Sequence, residues 1–163
     1  YDVSIRIAEL PDSSLVARRL APCRHAIVAA PEYLEAHGTP RTPAELQDHN
    51  IITYRYQESA QEWHFRSADN KASAVPVAGS LTVDNSLAIR AALLAGVGIG
   101  RTPTFVVGED IREGRLVSLL KGYETLEVSI YLVYAQRRHM SPKVRAFLDF
   151  MAARIREVPY WDQ

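Results

Sequence analysis

The stretch that most constrains this chain runs from Gly79 to Phe105, G-S-L-T-V-D-N-S-L-A-I-R-A-A-L-L-A-G-V-G-I-G-R-T-P-T-F. It reads as a strand over Ser80 to Val83, a polar turn Asp84-Asn85-Ser86, a helix over Leu87 to Ala95, a glycine stop and a second strand ending at Thr102-Pro103. That order is a βαβ unit. Asn or Asp before an apolar run is an N-cap signal, and Gly96 and Gly98 are expected to supply the left-handed geometry that ends the helix and returns the chain to the sheet. Arg90 is the one charged residue among Leu87, Ile89, Ala91, Ala92, Leu93 and Leu94, so the helix is expected to be covered on most sides. Its N-terminus is then the functional end, because backbone N–H groups and the helix dipole favour an anion there. Sheets of this class bind ligands outside the carboxyl ends of their strands.

The flanking segments supply more strands and helices. Asp2 to Ala8 alternates apolar and polar with period two, a strand pattern, and 9–14 is its turn-rich exit. Leu15 to Ala21 and Arg24 to Ala30, split by Pro22, read as one long crossing strand whose proline belongs at a bend or an edge. Pro31 to His37 is a short helix, and Thr42-Pro-Ala-Glu45 is a capping box. Ile51 to Tyr56 is a strand, Trp63 and Phe65 alternate as in an edge strand, and Ser67 to Asn70 is a hairpin turn. Ala72 to Val83 is its partner, leading into the central unit. Val106 to Glu113 is a helix stopped by Gly114, and Arg115 to Leu120 and Glu127 to Ala135 are strands. Ser141-Pro142 opens a last helix with Val144, Phe147, Leu148, Met151 and Ile155 on one face, and the tail after Val158 is expected to fray. Alternating strands and helices predict a mixed α/β sheet. Leu15 to Ala30 and Leu116 to Ala135 can each pass between two lobes.

Composition excludes several functions. With 163 residues and 47% hydrophobic side chains the chain can bury a real core, and 19 basic residues against 19 acidic ones leave no basic excess for nucleic acid. One cysteine, Cys23, rules out an internal disulfide framework and fits a reducing compartment. No run reaches the length of a membrane span and no signal segment opens the chain. The chain starts at Tyr1 and reads as an excised or truncated piece.

Five segments carry a family resemblance in the right order: D-V-S-I-R-I-A-E-L-P-D-S-S-L (2–15), R-R-L-A-P-C-R (18–24), P-E-Y-L-E-A-H-G-T-P (31–40), D-N-S-L-A-I-R-A-A-L-L-A-G-V-G-I-G (84–100) and R-R-H-M-S-P-K-V-R-A-F-L-D-F (137–150). Together they resemble the effector-binding domain of LysR-type transcriptional regulators. The resemblance implies a two-lobed α/β fold like the type II periplasmic binding proteins, with mixed sheets and two hinge crossings. It implies a small-molecule effector in the cleft, self-association as dimer or tetramer, a cytoplasmic location, and DNA binding through an N-terminal winged helix-turn-helix that this chain lacks. Residues 1–24 and 129–163 would form an incomplete first lobe, and 25–128 the second. Carried over residue by residue, the cleft wall comprises Arg6, Ile7 and Ala8, the cap Asp84, Asn85 and Ser86, and Arg101, Thr102 and Pro103. The family usually has aliphatic side chains where Arg101 and Thr102 stand, so these either retune the pocket toward a carboxylate or face solvent.

Each of these residues has a plainer reading. Capping alone explains Asn85 and Ser86. Arg6 and Arg101 either clamp an anionic effector through bidentate hydrogen bonds or form surface ion pairs. Thr102 and Pro103 are pocket wall or strand terminator. Cys23 is either a small buried hydrophobe or, beside Arg24 and His25, a reactive thiol. His25, His37, His49, His64 and His139 show no ligand spacing, so no metal is expected. Ser13, Ser14, Glu9 and Asp12 share one turn without a nucleophile elbow, Walker loop or paired-acid motif, and no cofactor or catalytic residue is assigned. The G-V-G-I-G run of Gly96 to Gly100 follows a helix and is a chain reversal, and Arg137-Arg138-His139 is a solvated loop. The expectation is an effector-sensing and oligomerisation domain of a bacterial regulator; the alternative is a solute-binding protein that serves a transporter.

Overall fold

The computed structural model describes residues 2–8, 16–56, 61–125, 128–134, 141–155 and 159–162. In chain order these form β1 (Val3–Ala8), β2 (Val16–Cys23), β3 (His25–Ala29), α1 (Pro31–His37), a 3-10 turn (Pro43–Asp48), β4 (Ile51–Tyr54), β5 (Glu62–Ser67) and β6 (Ala72–Pro76). There follow β7 (Leu81–Val83), α2 (Ser86–Leu94), β8 (Ile99–Pro103), α3 (Thr104–Arg112), β9 (Val117–Leu119), β10 (Tyr123–Glu124), β11 (Val128–Tyr134), α4 (Pro142–Arg154) and a 3-10 turn (Tyr160–Asp162). The chain divides into two compact units, Tyr1–Arg24 with Glu127–Gln163, and His25–Leu126. The expected turns at 9–14 and the basic cluster 137–139 lie outside the described residues.

In the first unit β11 is the centre of an antiparallel sheet ordered β1-β11-β2. Pro22 sits inside β2 opposite Ser129, at an edge of the sheet as expected, and the break between the two extended pieces comes at Arg24. The strand tolerates the proline because β2 is an edge and, among the described residues, has no second partner for a missing N–H. The apolar stripe expected on α4 is only partly used: Leu148 is buried, whereas Phe147 and the off-stripe Phe150 stay exposed. The end of the chain also departs from a frayed tail. Tyr160–Asp162 closes a helical turn, and the Asp162 carboxylate accepts from Arg24 Nη1 at 2.9 Å.

The second unit is built on a five-stranded sheet ordered β7-β4-β8-β3-β9, in which β4 runs parallel to both β7 and β8. The Gly79–Phe105 stretch is therefore a βαβ crossover with β4 inserted between its two strands. Side-chain alternation sends neighbouring residues to opposite faces. Val28, Ile52, Ile89, Leu93, Val107 and Leu116 fill the core on the α2 and α3 side. Ile27, Ile51, Ile99, Tyr33, Leu46, Trp63 and Phe65 fill the other. That second core is closed by a separate sheet ordered β10-β5-β6. The run Ala72 to Val83, expected as one strand, is thus divided: β6 pairs with β5 in the small sheet and β7 pairs with β4 in the large one.

Two further expectations change. Only Ile89 and Leu93 of α2 are buried, while Leu87, Ala88 and Ala91 are exposed, because the helix lies on the sheet along one narrow stripe. At Gly100, a Cβ would come within 3.2 Å of Ile89 and 3.3 Å of Leu93, so the helix rests on bare backbone. Gly96 does adopt the left-handed conformation, at φ +69°, but Gly98 is required for a different reason. A Cβ there would lie 2.2 Å from the Asn50 carbonyl oxygen.

Candidate functional site

The parallel strands β4 and β7 end side by side at Tyr54 and Val83, and the Thr53 and Thr82 hydroxyls meet at 2.8 Å. After Val83 the chain turns through Asp84 and Asn85 into α2. Asn85 is extended (φ −138°, ψ 126°), and its Oδ1 accepts from Leu87 N–H at 2.8 Å, an N-cap formed by the residue expected to form it. The turn opens onto a depression of about 640 Å³. Asp84, Asn85 and Ser86 line its α2 end, Tyr54 lines the strand end, and Phe105, Val106 and Glu109 line the wall supplied by α3. Leu87 and Arg90, one face of α2, complete the lining. The floor thus joins apolar side chains to the N-terminal N–H groups of a helix, a combination that holds a small molecule with an apolar body and one polar end.

The main charge cluster of this region lies just behind the depression. Asp110, fully buried in α3, accepts from Arg90 Nε at 2.5 Å and Nη2 at 2.8 Å. Arg115 Nε donates to it at 2.8 Å. Burial alone would push the Asp110 carboxyl up, but the hydrogen bonds and charges of the two arginines outweigh it and hold the group below the usual carboxylate range. In turn the Asp110 hydrogen bond raises the Arg90 guanidinium above its ordinary value. The cluster ties α2 to α3 across the wall of the depression.

Of the residues singled out in sequence, the structure groups Asp84, Asn85 and Ser86 at the depression. Arg101 does not face solvent: it is 4% exposed, with its guanidinium 4.9 Å from the centre of the Trp63 ring. Alternation along β8 puts Arg101 with Ile99 on the Trp63 side, where burial lowers its pKa to about 10. Thr102 is wholly buried, and Pro103 pairs with His25 and precedes the first residue of α3. Arg6, Ile7 and Ala8 belong to β1 in the first unit, where Arg6 and Ile7 are exposed. Cys23 is 1% exposed, and burial with the Asp162 charge pushes its thiol up to about 11, so it behaves as a small hydrophobe. Among the described residues no group of three or more His, Cys, Asp or Glu is placed to hold a metal, and no helix is long and apolar enough to cross a membrane.

Tyr54, Leu87, Arg90, Phe105, Val106 and Glu109 were not foreseen as site residues. The one sequence signal for them was Arg90, the single charge on an otherwise apolar helix. Phe105 and Glu109 reach the site only through the way α3 packs beside α2.

Comparison with known proteins matches this architecture. The family model described as LysR substrate binding domain aligns with residues 1–156. The uncharacterized HTH-type transcriptional regulator YhjC of Escherichia coli K12 is 35% identical over 158 residues, covering 96% of this chain and 53% of that protein. The solved regulatory domain of CrgA, a LysR-type transcriptional regulator from Neisseria meningitidis, superposes with a TM-score of 0.82 at 31% identity, covering 95% of this chain and 76% of that one. Full-length AphB, a virulence activator of Vibrio cholerae, superposes with a TM-score of 0.84 at 27% identity, over 96% of this chain and 52% of AphB. The chain spans about half the length of the curated relatives it matches, and those relatives are transcriptional regulators. Its fold is the mixed α/β, two-lobed type of the periplasmic binding proteins, and by the family match and these identities the chain belongs to the LysR-type transcriptional regulators.

Proposed function

We propose that this chain senses a small effector for a LysR-type regulator, and that the effector binds in the depression at the N-terminus of α2. The observation that carries the reading is the geometry of Asn85. Its side chain ends the strand and starts the helix, so that Ser86 and the first N–H groups of α2 border an open apolar hollow instead of a packed neighbour. A monoanionic ligand, a small aromatic or aliphatic carboxylate, suits Tyr54 and Phe105 together with that helix end. In the whole protein, effector binding shifts an equilibrium between arrangements of a dimer or tetramer in the cytoplasm and so changes how winged helix-turn-helix domains outside this chain sit on DNA. The free energy available is the effector's differential affinity for those arrangements, about 1–3 kcal/mol of coupling. The regulator relatives support this reading over a transporter's solute-binding protein.

The test is a thermal-shift screen of matched carboxylate and amide metabolites on the protein, with Ser86→Ala as control. Carboxylates are expected to stabilise more than their amides, by about 2.7 kcal/mol at a hundredfold excess over Kd. Ser86→Ala is expected to weaken that response. Equal stabilisation by acids and amides removes the anion site, and a bound metabolite that leaves operator binding of the intact regulator unchanged removes the sensing role.

A further inference from the structure

We propose that Arg90 is the side chain that reads the anionic group in the α2–α3 depression, with the buried Asp110 as its positioning residue; this rests on the ligand site proposed above and names its specificity determinant. An arginine on an exposed helix face ordinarily samples many rotamers, and holding it still for a ligand has an entropic cost. Here that ordering is already done. Nε and Nη2 of Arg90 form a two-point fork onto Asp110 Oδ2 and Oδ1, and Oδ1 is held in addition by Arg115, whose Nε donates at 2.8 Å and whose Nη2 lies at 2.7 Å. The plane of the Arg90 guanidinium is therefore set by a carboxylate that cannot move into solvent.

The same fork decides which donors remain. It uses the Nε hydrogen and one Nη2 hydrogen. The opposite edge, made of Nη1 and the second Nη2 hydrogen, makes no hydrogen bond to a described residue. Asp110 is fully buried and does not line the depression, whereas Arg90 is one-third exposed and does. The unused edge consequently belongs to the part of Arg90 that meets the depression. Two parallel N–H groups match the two oxygens of a carboxylate. Because Asp110 is shared with Arg115, it does not fully cancel the Arg90 charge; Arg115 is further paired with Glu113.

The remaining lining restricts the class of anion. Asp84 and Glu109 both border the depression, and Glu109 is close enough to act on Arg90 electrostatically. Two carboxylates beside one arginine oppose a dianion far more than a single charge. The geometry thus favours a monocarboxylate seated end-on against Arg90, with its apolar part toward Tyr54 and Phe105, over a phosphate. It also assigns the anion-clamping role expected of Arg101 to a different arginine, seated on a helix instead of a strand.

The experiment titrates the protein with benzoate, benzamide and inorganic phosphate while observing the Arg90 Nε–H and Leu87 amide resonances. Benzoate is expected to shift both and benzamide neither, with phosphate weaker than benzoate. Arg90→Gln and Asp110→Asn are each expected to lower benzoate affinity by about tenfold, the scale of one charge-assisted contact. Arg115→Gln disturbs the same buried carboxylate from outside the depression and is expected to change affinity less than about twofold. Equal losses in Asp110→Asn and Arg115→Gln would reduce Asp110 to a structural anchor and overturn the positioning role. Unchanged affinity in Arg90→Gln, with Leu87 still responding, overturns the assignment to Arg90 while the site itself stands. Benzoate shifts no larger than those of benzamide overturn both, and tighter phosphate binding overturns the monocarboxylate class. If Asp110→Asn does not fold, the contrast between Arg90→Gln and Arg115→Gln decides, since both keep the buried carboxylate.

Discussion

The two ends of the parallel strands β7, β4 and β8 are built from the same kinds of residues and do opposite things. At the amino end, Asn50 uses its side chain to the full: Nδ2 donates to Ser80 Oγ at 3.0 Å and to the Val97 carbonyl at 2.7 Å, and Oδ1 accepts from Ser80 N–H at 2.8 Å. Its backbone N–H donates to the Tyr33 hydroxyl at 3.0 Å, and Ile99 N–H donates to its carbonyl at 2.9 Å. Gly79 and Gly98 let the entering chains approach Ile51 and Asn50 more closely than any Cβ allows. At the carboxyl end, Asn85 makes one local cap and the chain around it opens on a hollow. One end uses its polar groups on the scaffold, and the other opens them onto the hollow. An asparagine's role here follows from whether its neighbours are strands entering the sheet or strands leaving it.

This contrast can be broken first at its tightest point. Gly98→Ala places a methyl group 2.2 Å from a backbone oxygen that has no rotamer to yield. A loss of about 3 kcal/mol or more in urea denaturation is expected, at the upper range of overpacking. A loss under about 1 kcal/mol would show that the amino end can open and is not the rigid one.

Next in size is Asn50→Ala, which removes three side-chain hydrogen bonds between strand starts; about 2 kcal/mol of stability should disappear, with ligand affinity retained. A smaller effect is expected from Asn85→Ala, about 1 kcal/mol for a lost helix cap, this time with weakened ligand binding. Measured side by side by denaturation and titration, these two asparagines should divide stability and binding between them. Both failing in the same way would erase the distinction between the ends.

The smallest effect is a pH dependence confined to the amino end. The Tyr33 hydroxyl accepts from Asn50 N–H at 3.0 Å and shares a hydrogen bond of 3.2 Å with His49 Nδ1. Burial holds His49 below the usual imidazole value, with the nearby His37 acting in the same sense and Asp48 and Glu45 against it. The folded protein therefore binds fewer protons than the unfolded chain below about pH 6.5. Stability should fall as pH drops from there through the lowered folded value, and His49→Gln should flatten that slope. A slope that survives in His49→Gln places the titrating group elsewhere.

Much of the central unit was readable before folding. Asn85 as cap, Gly96 as left-handed stop and Pro31 as helix opener are local statements, made by groups within four residues of one another, and they hold. Errors appear where a residue's surroundings come from far along the chain. Ala72 to Val83 looks continuous until its halves join different sheets. Arg101 enters the cleft wall by family resemblance, yet alternation along β8 turns it inward over Trp63.

By itself the sequence of this protein determined its family, its alternation of strands and helices and the capped turn at Asp84-Asn85-Ser86, because periodicity and capping act over a few residues. The tertiary structure alone decided which charges meet that turn. Arg90 and Asp110 are 20 residues apart, and only the packing of α2 against α3 joins them in an ion pair beside the depression. The face on which a side chain lies is set by distant partners competing for the same space, and no local pattern contains that information.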